Sequence, residues 1–136
     1  MSTNALCKNT IMLVDDNETD NFIHRRVLEL NNFAEKIIIK NSGKSALEYL
    51  ELYKQQPELL PEIIFLDINM PIVDGFVFLF EFESFVDSIK EKCKIVVLSS
   101  SDNKKDIDRI VDNDHVIHFI TKPLSDASVL ELREMF

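Results

Sequence analysis

The sequence has few of the residues that mark special classes of protein. Its 136 residues include two glycines, four prolines, two cysteines and no tryptophan. The two glycines, Gly43 and Gly75, provide neither a Gly-rich phosphate loop nor a dinucleotide fingerprint. Cys7 and Cys93 form neither a pair at metal-ligand spacing nor a disulfide framework. We therefore expect a reducing, intracellular setting.

Basic residues and long apolar runs are also scarce. Fifteen basic side chains stand against 24 acidic ones, which gives a net charge of -9. Such a chain repels phosphate backbones and anionic membrane surfaces, so we expect no direct nucleic acid or membrane partner. No run approaches the roughly 18 apolar residues that span a bilayer, and the polar start of the chain is no signal peptide. These features predict a soluble, cytoplasmic protein.

The length suits one domain, which we assign to residues 11–136 behind an N-terminal tail of residues 1–10. Five short apolar runs rich in β-branched residues stand out, at 11–14, 37–39, 63–66, 95–98 and 116–120. The first four do not alternate polar with apolar residues, which predicts strands buried on both faces. Segments of helical period separate the runs. This repeated βα pattern predicts an α/β fold with a doubly wound parallel sheet.

The segments between the runs each show an apolar stripe at helical spacing. Asn17 and Ser42 are placed to cap the first and second predicted helices. The stripe of the first predicted helix is Ile23, Val27 and Leu30, and that of the second is Ala46, Leu50 and Tyr53. The stripe of the fourth is Ile107, Ile110 and Val111, and that of the last is Val129, Leu132 and Phe136.

The third predicted helix has an ambiguous pattern, because four phenylalanines between positions 76 and 82 alternate as in a strand. A helix fits better, since at about 100° per residue one face collects the apolar side chains. That face holds Phe78, Leu79, Phe82, Phe85 and Val86. Val77 and Phe80 then point outward, either as scattered surface residues or as a candidate contact patch.

Polar side chains follow the predicted strands where these end. Asp15 and Asp16 follow the first run, Asp67 the third, Ser99 the fourth, and Lys122 lies just past the fifth. With strand order 2-1-3-4-5, the first and third strands are neighbours at the point where the order reverses, so three carboxylates converge. Such carboxylates repel one another unless a cation neutralises them, and all-oxygen donors suit Mg²⁺. One lysine opposite them can pair with a carboxylate or a phosphoryl oxygen.

These motifs resemble the receiver domain of two-component response regulators over residues 11–136. The matching segments are Val14-Asp15-Asp16-Asn17, Leu66-Asp67-Ile68-Asn69-Met70-Pro71 with Asp74-Gly75, Val97-Leu98-Ser99-Ser100, and Phe119-Ile120-Thr121-Lys122-Pro123. The resemblance implies a flavodoxin-like (βα)5 fold. It also implies a stand-alone, single-domain regulator of the chemotaxis-regulator type, which takes part in phosphorelay signalling and is not an enzyme beyond its self-catalysed phosphotransfer and dephosphorylation.

The resemblance assigns roles to individual residues. Asp67 is the implied phosphoacceptor. Mg²⁺ is the implied cofactor, bound by Asp16, Asp67 and the main-chain carbonyl of Asn69, with Asp15 acting through water. Lys122, the Ser99 hydroxyl and the Ser100 main-chain amide are implied to hold phosphoryl oxygens. Ser99 and Phe119 are the implied switch residues, and Lys122-Pro123 is expected to be cis. His24, His115 and His118 show no ligand spacing with the acidic cluster.

Implied partners are a sensor histidine kinase or phosphotransfer protein, a downstream protein and a second copy of the chain. Two other functions stay open. One is a pseudo-receiver that binds proteins without phosphotransfer. The other is an aspartyl-nucleophile phosphatase, which is disfavoured because that class needs an acid two residues after the nucleophile, where this chain has Asn69.

Overall fold

The computed structural model describes residues 8–68, 75–85, 87–100 and 104–135. It contains a five-stranded parallel sheet in the order β2-β1-β3-β4-β5. The strands are β1 (Lys8–Val14), β2 (Ala34–Lys40), β3 (Ile63–Asp67), β4 (Lys94–Ser99) and β5 (Val116–Thr121). Each covers one predicted run, so the predicted fold class and strand order are confirmed. β1 begins three residues before its run, because Lys8 already pairs with Ala34 of β2.

Helices connect the strands. Within the described residues they are α1 (Glu18–Leu30), α2 (Gly43–Leu52), α3 (Gly75–Glu83), α4 (Asp87–Lys92), α5 (Lys104–Val111) and α6 (Asp126–Met135), with a 3-10 turn at Pro57–Leu59. The sequence did not predict α4, which has six residues and a single buried side chain, Ile89, too little for a recognisable stripe. The fourth and last predicted helices therefore correspond to α5 and α6.

Both predicted N-caps are confirmed. The Asp20 N–H donates to Asn17 Oδ1 at 3.0 Å, and the Ser45 N–H donates to Ser42 Oγ at 3.1 Å. Each side chain thereby satisfies an amide at the first turn of α1 or α2 that has no partner within the helix.

The core has two halves, one on each face of the sheet. On one face, α2, α3 and α5 cover the strands, and the buried side chains include Met12, Leu50, Phe78, Phe82 and Ile110. On the other face, α1 and α6 cover them, and the buried side chains include Leu13, Leu28, Phe65, Val129 and Leu132. Helices on both faces explain why the central strands are continuously apolar, since neither face meets water.

The predicted helical face of α3 is confirmed for Phe78, Leu79 and Phe82, which are buried, while Val86 lies outside the described residues. Val77 and Phe80 are exposed, as predicted, with 78% of Phe80 accessible to solvent. Gly75, the first residue of α3, lies in close contact with Ile68, which directly follows β3. A Cβ at position 75 would lie 2.5 Å from Ile68 Cα, so only glycine fits this close approach without a shift.

The predicted stripe of α1 is confirmed only for Val27, which packs against the core, and is wrong for its other two residues. Ile23 is 41% and Leu30 64% exposed, whereas Asn21, His24 and Leu28 are buried. α1 begins beside the charged end of β1, and partners there stabilise buried polar side chains; the Asn21 side-chain amide donates to the Asp15 carbonyl at 2.8 Å.

Of the other predicted stripe residues, one is exposed and one lies outside the described residues. Val111, at the end of α5, is exposed, because the buried position of that turn is taken by Ile110. Phe136 lies outside the described residues. The remaining stripes of α2 and α6 are buried or packed against the core, as predicted.

Candidate functional site

Three carboxylates meet at the carboxyl end of the sheet. β1 and β3 are parallel neighbours with Val14 opposite Leu66, so the chain following Val14 lies beside Asp67. Asp15 and Asp67 are buried and Asp16 is exposed. One oxygen from each of the three lies within 4.8 Å of the others. The structure thus brings together the acids that the sequence predicted would converge.

Lys122 lies opposite this cluster, just after β5. Its Nζ is 2.7 Å from Asp15 Oδ2, 2.9 Å from Asp20 Oδ2 and 3.6 Å from Asp67 Oδ1. The Lys122 N–H donates to the Ser99 carbonyl at 3.0 Å, which fixes the loop after β5 against the end of β4. The Lys122-Pro123 peptide is cis, as predicted.

The surroundings of Lys122 keep it charged. Burial lowers the pKa of its ammonium group, but hydrogen bonds to Asp15 and Asp20 and the charge of Asp67 oppose burial and raise the pKa above its usual value. Lys122 is therefore an ammonium donor at neutral pH.

The cluster carries excess negative charge. Three acids, Asp15, Asp20 and Asp67, approach the Lys122 ammonium, and a fourth, Asp16, lies beside Asp15 and Asp67. Carboxylate oxygens at this spacing suit a hard divalent cation, which would offset their repulsion. Asp15, Asp16 and Asp67 are the residues that could hold such an ion. Asn69, whose carbonyl was predicted as a further ligand, lies outside the described residues.

Both carboxylate oxygens of Asp15 accept hydrogen bonds from the protein. Its Oδ1 accepts the Asn17 N–H at 2.9 Å, and its Oδ2 accepts from Lys122. Both oxygens thus have a protein partner, which agrees with an indirect contact to a metal through water.

The remaining predicted residues lie on β4 and β5. Ser99 ends β4 and is fully buried; it follows Leu98, which pairs with Asp67 in the register of the sheet. Ser100 comes directly after it and is exposed. Phe119 of β5 is half-buried and packs against the core half that includes Ile110 of α5. Ser99 and Phe119 are thus on adjacent strands, and their predicted switch roles stay predictions.

The three histidines do not join the acids that could hold a metal ion. His115 pairs with Glu83 of α3, and His118 Nε2 lies 2.7 Å from Glu131 Oε1 of α6. His24 is buried on α1 near the site. Burial lowers its pKa, and the positive charge of Lys122 acts in the same direction, so His24 is neutral at pH 7.

Sequence reasoning missed Asp20 and Asn21. Asp20 lies in the first turn of α1, where acids are common because of the helix dipole, so its contact with Lys122 gave no separate signal. Asn21 donates to the Asp15 carbonyl, but an asparagine in a helix does not by itself indicate this role. Asp20 could have been found only from the approach of α1 to the loop after β5, and Asn21 only from the approach of α1 to the loop after β1.

None of the helices in the described part of the chain has the length and apolar character needed to cross a membrane.

A parallel sheet with aspartates and a lysine at the point of strand reversal is the arrangement that the sequence motifs predicted for a receiver domain. The family model described as response regulator receiver domain matches residues 11–133. The chain therefore belongs to the response regulator receiver domain family.

Individual relatives agree with this family. The probable methanogenesis regulatory protein FilR2 of Methanothrix harundinacea is 33% identical over 120 residues, which cover 85% of this chain and 72% of FilR2. A two-component response regulator from Cytophaga hutchinsonii superposes with a TM-score of 0.86 at 27% identity, covering 93% of this chain and 95% of the other. The phosphorylated cyanobacterial phytochrome response regulator RcpA has a TM-score of 0.73 at 29% identity, covering 94% and 90%.

Proposed function

We propose that this chain is a phosphoacceptor switch, in which Asp67 takes a phosphoryl group from a phosphohistidine of a sensor histidine kinase or phosphotransfer protein. The observation that carries the proposal is the position of Asp67: its carboxylate is buried at the strand reversal, beside two other acids and 3.6 Å from the Lys122 ammonium. The phosphorylated state of the similar protein RcpA supports it.

The chemistry requires little beyond positioning. An Asp67 carboxylate oxygen attacks the phosphorus, a P–O bond forms, and the P–N bond to the donor histidine breaks with its electron pair going to the imidazole. The ionised carboxylate is itself the nucleophile, so no general base is needed. Lys122 binds a phosphoryl oxygen after transfer, because only a short movement of its Nζ separates it from Asp67.

Mg²⁺ is the cofactor in this proposal, held by Asp16 and Asp67, with Asp15 acting through water. When bound, the ion neutralises charge on the phosphoryl oxygens. The chain acts on no separate substrate, so it is a regulator with self-catalysed phosphotransfer and dephosphorylation and is not an enzyme in the usual sense.

The output is a change of binding surface. Ser99 moves toward the phosphoryl group, and Phe119 turns inward beneath α5, which alters the face formed by α5, β5 and α6. A downstream protein or a second copy of the chain binds that face. The Val77 and Phe80 contact patch stays a prediction.

Acetyl phosphate, a small donor, tests the phosphoacceptor role directly. With Mg²⁺ the intact mass should rise by one phosphoryl group, and EDTA or the Asp67→Asn substitution should prevent this. Asp112→Asn, at an exposed acid after α5, is the matched control and should be phosphorylated like the unmodified chain. A chain that folds but gains no mass would favour the pseudo-receiver instead, and persistent labelling of Asp67→Asn would place the acceptor elsewhere.

A further inference from the structure

Asp20 makes one of the shortest contacts in the site, yet none of the motifs includes it. Its Oδ2 accepts a hydrogen bond from Lys122 Nζ at 2.9 Å, close to the 2.7 Å of the Asp15 contact. The distance from Lys122 Nζ to Asp67 is longer, at 3.6 Å. The ammonium therefore lies nearer to Asp15 and Asp20 than to Asp67.

The position of Asp20 is fixed by the start of α1. Its N–H donates to Asn17 Oδ1, the cap of the helix. The next residue, Asn21, donates to the Asp15 carbonyl at 2.8 Å and ties the same turn to the loop after β1. Asp20 thus faces Lys122 from a rigid helical turn, with its side chain two-thirds buried.

We infer that Asp20 is a positioning residue that competes with the phosphoryl group for Lys122. The inference rests on the proposed function of Asp67. Lys122 must approach an oxygen of the phosphoryl group on Asp67, and the hydrogen bond to Asp20 draws its ammonium the other way. The Asp20 carboxylate also adds a negative charge beside an anionic group. Both effects weaken the phosphorylated state, so Asp20 sets how strongly the site holds a phosphoryl group.

Beryllofluoride, which binds aspartate as a stand-in for a phosphoryl group, measures this strength without turnover. Its dissociation constant can be followed by ¹⁹F NMR at saturating Mg²⁺, which removes any effect of Asp20 on metal affinity. Asp20→Asn should bind beryllofluoride about tenfold more tightly, the scale of one lost competing charge-assisted hydrogen bond. Asp20→Ser should also bind beryllofluoride more tightly than the unmodified chain. Asp20→Glu, which keeps the carboxylate, should have an affinity close to that of the unmodified chain.

Two comparisons separate positioning from a general effect. In a Lys122→Ala background, Asp20→Asn should change the dissociation constant less than about twofold, because the residue through which Asp20 acts is gone. Glu18→Gln removes the same charge from the same helical turn at an exposed position and should leave affinity unchanged.

Several outcomes overturn the inference. The first is that both Asp20→Asn and Asp20→Ser bind beryllofluoride no more tightly than the unmodified chain. The second is that Asp20→Asn increases the affinity just as much in the Lys122→Ala background. The third is that Glu18→Gln increases the affinity as much as Asp20→Asn does. In each of these cases the unmodified chain still binds beryllofluoride, so the proposed function of Asp67 survives. Failure of the unmodified chain to bind beryllofluoride with Mg²⁺ would reject the proposed function itself, and this inference with it.

Discussion

The two ends of the sheet handle charge differently. At the amino end, Lys8 and Glu62 approach to 3.9 Å in a partly solvated pair. At the carboxyl end, Lys122 and Asp15 pair at 2.7 Å with only 12% and 5% of their side chains exposed. Asp20 and Asp67 also approach the same ammonium, and Asp16 lies beside Asp15 and Asp67. The first pair is longer and its Glu62 side chain is 26% exposed, whereas Asp15 and Asp67 are more deeply buried and the acids of their group outnumber the ammonium partner. The fold therefore tolerates repulsion at the end where the chemistry is proposed.

Loss of Lys122 should have the largest effect on stability. Lys122→Ala leaves Asp15 and Asp67 without their ammonium partner, and we expect unfolding to become easier by about 3 kcal/mol in the absence of metal. Mg²⁺ should recover part of this loss, because the proposed ion site consists of the same acids and exists in the folded state only. Urea unfolding with EDTA and with Mg²⁺ measures both effects. If Lys122→Ala had the same urea midpoint in EDTA as the unmodified chain, the charged groups at the carboxyl end would contribute no more to stability than the pair at the amino end.

Loss of an acid at the same end should act in the opposite direction. Asp67→Asn removes one of the repelling carboxylates, so the free energy of unfolding in EDTA should rise by on the order of 1 kcal/mol. The same variant should lose most of the stabilisation that Mg²⁺ gives the unmodified chain. A variant that is less stable in EDTA yet responds fully to Mg²⁺ would contradict the proposed ion site.

A smaller effect should depend on pH through His24. Its pKa is lowered in the folded chain, chiefly by burial, so its contribution is fully present above the unfolded value of about 6.5. As the pH falls below that value, the unfolded chain takes up the proton first, and stability is lost. Between about pH 7 and pH 5.5, His24→Gln should lose less stability than the unmodified chain. Equal slopes in urea titrations would show that His24 does not contribute.

The smallest effect belongs to the amino end of the sheet. Glu62→Gln removes the charge that faces Lys8 but keeps an oxygen that can accept the Asn9 N–H, which now donates to Glu62 at 2.7 Å. Stability should change by no more than about 0.5 kcal/mol, and the difference should vanish in high salt. A loss as large as that of Lys122→Ala would remove the contrast between the two ends.

The strands and the acidic cluster were predictable because their signals are local. Continuous β-branched runs indicate buried strands, and parallel order alone then brings Asp15, Asp16 and Asp67 together. The buried face of α1 was not predictable in this way. There Ile23 is exposed and His24 is buried, the reverse of the usual preference, and His24 lies near the charge of Lys122, which comes from far along the chain.

The same reason explains why Asp20 was missed. Its partner Lys122 lies 102 positions further along the chain, and an acid in the first turn of a helix already has an ordinary explanation. The helix α4 was missed for a different reason, since six residues with one buried side chain carry no periodic signal.

The acceptor residue itself can be read out by chemical trapping. After reaction with acetyl phosphate and Mg²⁺, borohydride reduces an acyl phosphate to an alcohol, so the modified aspartate becomes homoserine and can be located by peptide mass spectrometry. We expect this mass change at position 67 alone, and only when Mg²⁺ is present. Homoserine at position 15 or 16, or a phosphate on Ser99 that borohydride leaves intact, would contradict the assignment of Asp67.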